Sequence, residues 1–90
     1  MKIYIAGKIT GDPNYKEKFR RAEERLVSQG HIVLNPARLP EGMQPGDYMH
    51  ICFAMLAAAD MAVFLPDYSD SARARLEYDW CRYVGKLKKI

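Results

Sequence analysis

Cysteine is scarce: the 90 residues hold two, Cys52 and Cys81. They lack the C-x-x-C spacing of a zinc or redox motif, so neither a disulfide nor a structural zinc is expected, and both thiols read as free in a reducing compartment. No cluster of His, Cys, Asp and Glu has metal-ligand spacing, and neither a metal nor a cofactor is expected. No apolar run approaches the ~20 residues of a membrane helix. The start, Met1-Lys2-Ile3-Tyr4-Ile5, lacks the apolar region and small-residue cleavage site of a secretory leader and reads as a strand, so a cytoplasmic protein without membrane contact is expected. Internal repeats, linkers and low-complexity tracts are missing too, as are G-x-G-x-x-G and Walker loops.

Charge of one sign is also in short supply. Fourteen Lys and Arg face 11 Asp and Glu, a net +3. Much of the charge is interleaved, as in Lys16-Glu17-Lys18 and Arg20-Arg21-Ala22-Glu23-Glu24-Arg25. That pattern is a solvated helix face, which argues against a polymer nucleic acid as partner, while a mild positive excess suits a small anionic ligand. With 49% apolar and 28% charged residues, the chain is globular in composition and long enough for one domain, residues 1–90. A domain this small buries only roughly 60–65% of its unfolded surface, so a partner subunit would stabilise it.

Strand and helix patterns alternate. Residues 2–6 read as a strand, 7–14 as a glycine-bearing loop, and 15–29 as an amphipathic helix with Phe19, Ala22, Leu26 and Val27 inward, a Glu17–Arg21 pair outside and Gly30 at its end. Residues 31–35 form a second strand, stopped by Pro36. After a loop with Pro40, Gly42, Pro45 and Gly46, Asp47 is expected to cap a helix over 48–59. Residues 61–65 read as a buried third strand, 66–71 as a loop, 72–84 as a third helix, and the last residues as a fourth strand. The fold class expected is α/β, a small doubly wound (Rossmann- or flavodoxin-like) parallel sheet of four strands with helices on both faces. Ligands in such sheets bind beyond the carboxyl ends of the strands, which directs attention to the loops 7–14, 36–46 and 66–71. The 48–59 helix carries apolar residues nearly all round, which predicts burial on both sides and a homodimer or higher homo-oligomer through it.

Few residues suggest chemistry. The Gly7–Gly11 loop leads into a helix and its amides can approach an anion, although many such turns carry glycines for structure alone. Ser71 is placed to cap the third helix, and its hydroxyl with the amides behind it would also hold a phosphate. Arg73 and Glu77 share a helix face and read from spacing as a surface i,i+4 ion pair. His31 reads as structural and His50 as a core histidine.

Together the segments Tyr4-Ile5-Ala6-Gly7-Lys8-Ile9-Thr10-Gly11, Gly30-His31-Ile32-Val33-Leu34-Asn35-Pro36, Ala59-Asp60-Met61-Ala62-Val63 and Ser71-Ala72-Arg73-Ala74-Arg75-Leu76-Glu77 resemble the nucleoside 2-deoxyribosyltransferase-like superfamily, and within it a short phage and bacterial branch; the similarity runs over about residues 2–85. The resemblance implies chemistry at an N-glycosidic bond: Glu77 as nucleophile toward the anomeric carbon, Tyr4 as the residue that orients it, and Gly7, Lys8, Ile9, Gly11, Asp60, Ser71 and Arg73 as substrate-binding positions. Serine at position 71, where nucleoside-specific relatives carry an acid for the sugar hydroxyl, implies a nucleoside 5′-monophosphate. Two positions depart from the pattern. Cys52 stands where relatives carry an aspartate that helps protonate the leaving base, and Arg73 where they carry glycine. The expected function is cleavage or transfer at the N-glycosidic bond of a nucleoside monophosphate; the alternative is a non-catalytic nucleotide-binding protein, a sensor or sequestering protein, on the same fold.

Overall fold

A computed structural model describes residues 1–89 of the chain. Lys2–Ala6 (β1) leads through Tyr15–Ser28 (α1) to Ile32–Leu34 (β2), then through Pro45–Ala58 (α2) to Met61–Phe64 (β3) and Ala72–Val84 (α3); Leu87–Lys89 (β4) follows. All pairings are parallel: β1 lies between β2 and β3, and β4 extends the sheet beside β3. The parallel α/β architecture expected from the alternation is therefore the one the chain adopts. The first crossover runs to one side of β1 and the second to the other, so the order reverses between β1 and β3. That is a switch point, where a crevice opens beyond the strand ends.

Strand periodicity of two divides the core. Ile3, Ile5, Val63 and Leu65 face α1 and pack on Phe19, Ala22 and Leu26. Tyr4, Ala6, Ala62 and Phe64 point the other way, toward Cys52 and Leu56 of α2 and Cys81 of α3. The alternation also decides the site, because it puts the Tyr4 side chain on the face that α3 covers.

Several local expectations change. Val27 is 53% exposed: it lies at the rim of the α1 stripe, where three inward residues already fill the contact with the sheet. Asp47 is not the cap of α2. The helix starts earlier, at Pro45, whose fixed φ and missing N–H suit a first turn, and the Asp47 carboxylate accepts from the Gln44 N–H at 3.1 Å from within it. His50 is exposed, not core, and α2 buries only Cys52 and Leu56, with Met49, Ile51, Phe53 and Met55 half-buried within the single chain. Gly30, at φ +90°, turns the chain from α1 into β2. Among the described residues no helix is long and apolar enough to cross a membrane.

Candidate functional site

The three loops at the carboxyl ends of the strands enclose a cleft of about 960 Å³, within the range of roughly 300–1,000 Å³ usual for small-molecule sites. The loop after β1 contributes Ile9 to Pro13, the segment after β2 contributes Pro36, Ala37, Leu39 and Glu41 to Met43, and the start of α3 contributes Asp70 to Arg73. Tyr15, Pro45, Tyr48 and Cys52 complete the wall from α1 and α2.

A cluster of ionisable side chains lies at the floor. Ser71 ends the loop after β3 and caps α3, its Oγ accepting from the Ala74 N–H at 3.2 Å. Two residues on, Arg73 and then Glu77 project from the same face of α3 toward the sheet. The Tyr4 hydroxyl donates to Oε2 of Glu77 at 2.8 Å. Arg73 Nη1 donates to Oε1 of Glu77 at 2.8 Å and to the Tyr4 hydroxyl at 3.1 Å, while its Nη2 donates to the Gly7 carbonyl at 3.2 Å. Glu77 is 0% exposed and the Arg73 side chain 17%. The ion pair read from spacing as a surface one is thus a buried one, and Arg73, which lines the cleft, lies between it and the carboxylate.

Burial pushes the Glu77 carboxyl above the usual carboxylate range, and Arg73 and Tyr4 pull it back down. Tyr4 is raised well above an ordinary phenol, first by burial and then by the neighbouring carboxylate, so its proton stays in place to donate. Burial likewise raises the Cys52 thiol, and lifts that of Cys81, behind the site, to about 11. Both thiols are free and buried.

Most of the expected positions converge. Tyr4, Glu77, Arg73 and the Gly7 carbonyl form one bonded cluster, and Ile9, Gly11, Ser71 and Cys52 line the cleft above it. Gly7 itself is packed: a Cβ there would lie 2.9 Å from Cδ1 of Leu65. Lys8 contributes its backbone, whose N–H donates to Asp67 at 3.1 Å. Asp60 is not brought to the site. It precedes β3, at the amino ends of the strands, where its carboxylate accepts from the Lys2 N–H at 2.9 Å and ties β1 to the start of β3. His31 sits at that same end, 3.3 Å from the amino terminus.

Sequence reasoning missed the supports of the cleft. Lys18 Nζ reaches out from α1 to Asp12 at 2.6 Å, to the Lys8 carbonyl at 2.9 Å and to Asp67, clasping the first and third loops together. The Tyr48 hydroxyl donates to the Pro40 carbonyl and accepts from the Met43 N–H at 3.3 Å, and the Tyr15 hydroxyl donates to Glu41 at 3.2 Å, so two tyrosines hold the middle segment over the cleft. Lys18 looks like any other charge on a solvated helix, and only the tyrosines' nearness to the loops hinted at their roles. Among the described residues no three metal-ligating side chains gather.

A family model described as "Domain of unknown function (DUF4406)" matches residues 1–89. A 2-deoxyribosyltransferase from the psychrotolerant bacterium Bacillus psychrosaccharolyticus superposes with a TM-score of 0.73 over 99% of this chain and 72% of its own, at 23% identity. A 2-deoxyribosyltransferase from Leishmania mexicana gives 0.73 over 99% and 63%, at 18%. The fold is therefore that of the 2-deoxyribosyltransferases, the superfamily the sequence segments resemble. In sequence, 73 residues (81% of the chain) are 30% identical to gonadotropin subunit beta of Muraenesox cinereus and to gonadotropin subunit beta-2 of Anguilla anguilla, spanning 64% and 51% of those proteins.

Proposed function

This chain belongs to the DUF4406 family, and from that premise we propose that it binds a nucleoside 5′-monophosphate in the cleft and cleaves or transfers at its N-glycosidic bond, with Glu77 as nucleophile. The observation that carries this reading is the buried 2.8 Å contact of Tyr4 with Glu77 beneath a cleft of nucleotide size. Tyr4 holds Oε2, and Oε1, which Arg73 engages in the free protein, is the oxygen that attacks C1′. As the new C1′–O bond forms, the C1′–N bond breaks, and its electron pair leaves with the base, which takes up a proton. Water then adds its hydroxyl to C1′, releases a proton to solvent and restores the carboxylate; a second base in place of water gives transfer. A carboxylate is suited to this because the transition state carries positive charge at C1′, and a fixed negative charge beside it is worth most where water is excluded.

Leu39, Met43 and Tyr48 give the cleft an apolar and aromatic side for a base, and Ser71 with Arg73 a polar one for the phosphate. Cys52 lines the cleft where the related pattern has an acid; its thiol, kept protonated by burial, is the nearest substitute. Self-association through α2 and a cytoplasmic location belong to the same proposal, supported by the half-buried Met49 and Ile51 and by two free thiols.

A second reading has its own support. Arg73 covers Glu77 and Cys52 is a weak acid, so a non-catalytic nucleotide-binding protein would also present this site. A panel of ribo- and deoxyribonucleoside monophosphates separates the two. Base release that disappears in Glu77→Ala supports the enzyme; thermal stabilisation without release from any of them supports the binder.

A further inference from the structure

An arginine bound to a catalytic carboxylate has to leave before the carboxylate can act. Arg73 Nη1 occupies Oε1 of Glu77, the oxygen that Tyr4 leaves unbonded, and Nη2 is tied to the Gly7 carbonyl. With the carboxylate 0% exposed and the guanidinium lining the cleft, a substrate entering from the cleft meets Arg73 first. We infer that Arg73 is a phosphate-operated latch: it keeps Glu77 covered in the free protein and releases it when the substrate's phosphate takes the guanidinium, so that the phosphate, more than the base, selects what is cleaved. The selection of what is cleaved rests on Glu77 as the nucleophile; the uncovering of Glu77 by a phosphate does not.

Three features of the cleft support it. Arg73 is the only cation among the described residues lining the cleft, so an anionic group on the ligand has one side chain of opposite charge to meet. The acids of that lining do not compete for it in the free protein, where Asp12 bonds Lys18 and Glu41 is engaged by Tyr15 and Lys16, with Asp70 at the exposed rim. A guanidinium also pairs better with a phosphate dianion, two oxygens to two N–H groups, than with a single carboxylate oxygen.

The exchange is also balanced in charge at the carboxylate. When Arg73 leaves, Glu77 loses a cation it touches at 2.8 Å, and an unpaired buried carboxylate is unfavourable. The reacting sugar supplies the replacement, since C1′ becomes positive as the base departs. The guanidinium thus occupies the place of the transition-state charge, and no proton needs to move for one to replace the other. A nucleoside without phosphate offers nothing to draw the arginine away.

The test compares the nucleotide cleaved fastest in the panel with the same nucleoside lacking its phosphate, using wild-type protein and the Arg73→Ala and Arg73→Gln variants. In the wild type, kcat/KM should favour the nucleotide by at least ~100-fold, and sodium phosphite added separately should raise nucleoside cleavage by ~10-fold or more. In the variants the ratio should narrow to below ~10-fold because nucleoside cleavage rises. Equal wild-type treatment of nucleotide and nucleoside overturns the latch, as does an equal loss on both substrates in the variants. Should the variants not fold, the phosphite arm decides on wild-type protein alone, and no acceleration overturns the latch. If wild-type protein releases no base from any nucleotide, the glycosidic reading fails. The latch is then judged by the ¹³Cδ resonance of Glu77 on titration with the nucleotide that stabilises the protein most: a shift that the matching nucleoside does not cause supports it, and an unmoved resonance overturns it.

Discussion

The Tyr4 hydroxyl donates to the Glu77 carboxylate at 2.8 Å, joining residues 73 positions apart in a buried contact. Tyr4→Phe removes the donor and leaves the shape. It should slow base release about 10- to 100-fold through kcat with KM nearly unchanged, because the carboxylate loses its orientation while the cleft keeps its walls. The lost hydrogen bond should cost about 1–2 kcal/mol of stability. Steady-state kinetics beside chemical denaturation separates the two effects, and a rise in KM with kcat intact would assign Tyr4 to substrate binding instead.

Gly7 lies under Leu65, with Cδ1, Cβ and Cγ of that side chain 2.9, 3.1 and 3.2 Å from where a Cβ would stand. Moving the tip of Leu65 does not relieve the contacts nearer its backbone, and Leu65 is itself core. Gly7→Ala should therefore lower stability by about 1–3 kcal/mol and, by shifting the carbonyl that Arg73 holds, also disturb the floor of the site. Denaturant melts read the first effect; retention of full stability would show that the β1 end yields easily.

Lys18 ties the first loop to the third. Lys18→Met should lower the melting temperature by about 5–10 °C and weaken nucleotide affinity more than it changes turnover of bound substrate, since the loops lose their mutual position. The clasp also sets a pH dependence. The hydrogen bond from Lys18 holds Asp12 below the usual carboxylate range, so the stabilisation is present above the unfolded aspartate value of about 3.9 and is lost as pH falls through the lower folded value. For Lys18, burial pulls down but the bonds to Asp12 and Asp67 outweigh it and leave the amine raised; that contribution is lost only as pH climbs past the ordinary lysine range. Melts from pH 2 to 7 should show a smaller acid loss in Lys18→Met than in wild type.

Cys52→Asp puts an acid where the related pattern has one. Burial raises the thiol at this position, with Arg73 and Tyr4 pulling the other way and Glu77 adding to the rise; the same desolvation would favour the protonated form of an aspartic acid, which can donate to the leaving base. Base release should rise at least ~10-fold. An unchanged rate would show that protonation of the base does not limit the reaction.

Much of the architecture was legible because hydrophobic periodicity reports it directly: β1 and α3 fall where the pattern puts them, and Gly30 and Pro36 punctuate as expected. Helical spacing put Arg73 and Glu77 on one face but could not say which way that face turned. That follows from how α3 packs through Cys81 against Tyr4 and Ala6, which is tertiary, and it converts a surface pair into a buried one. Tyr4 as partner of Glu77 came from resemblance, since nothing in the local sequence links residues so far apart. Asp60 came by the same route and was misplaced: it stands in a shared segment, but at the start of a strand and hence at the far end of the sheet from the cleft. His50 misled for a related reason, because an apolar helix reports a hidden face without saying which of its residues lie on it. Lys18 escaped notice because its three partners lie in two loops that only the fold brings together.

The central claim is that Glu77 bonds to the sugar. Rapid acid quenching of wild-type protein with the most rapidly cleaved nucleoside monophosphate, followed by peptide mass spectrometry, tests it most directly. The account predicts a sugar-phosphate adduct on the peptide carrying Glu77, absent in Glu77→Gln, which should also lose base release by at least ~10³-fold. Base release without an adduct and undiminished in Glu77→Gln would contradict it.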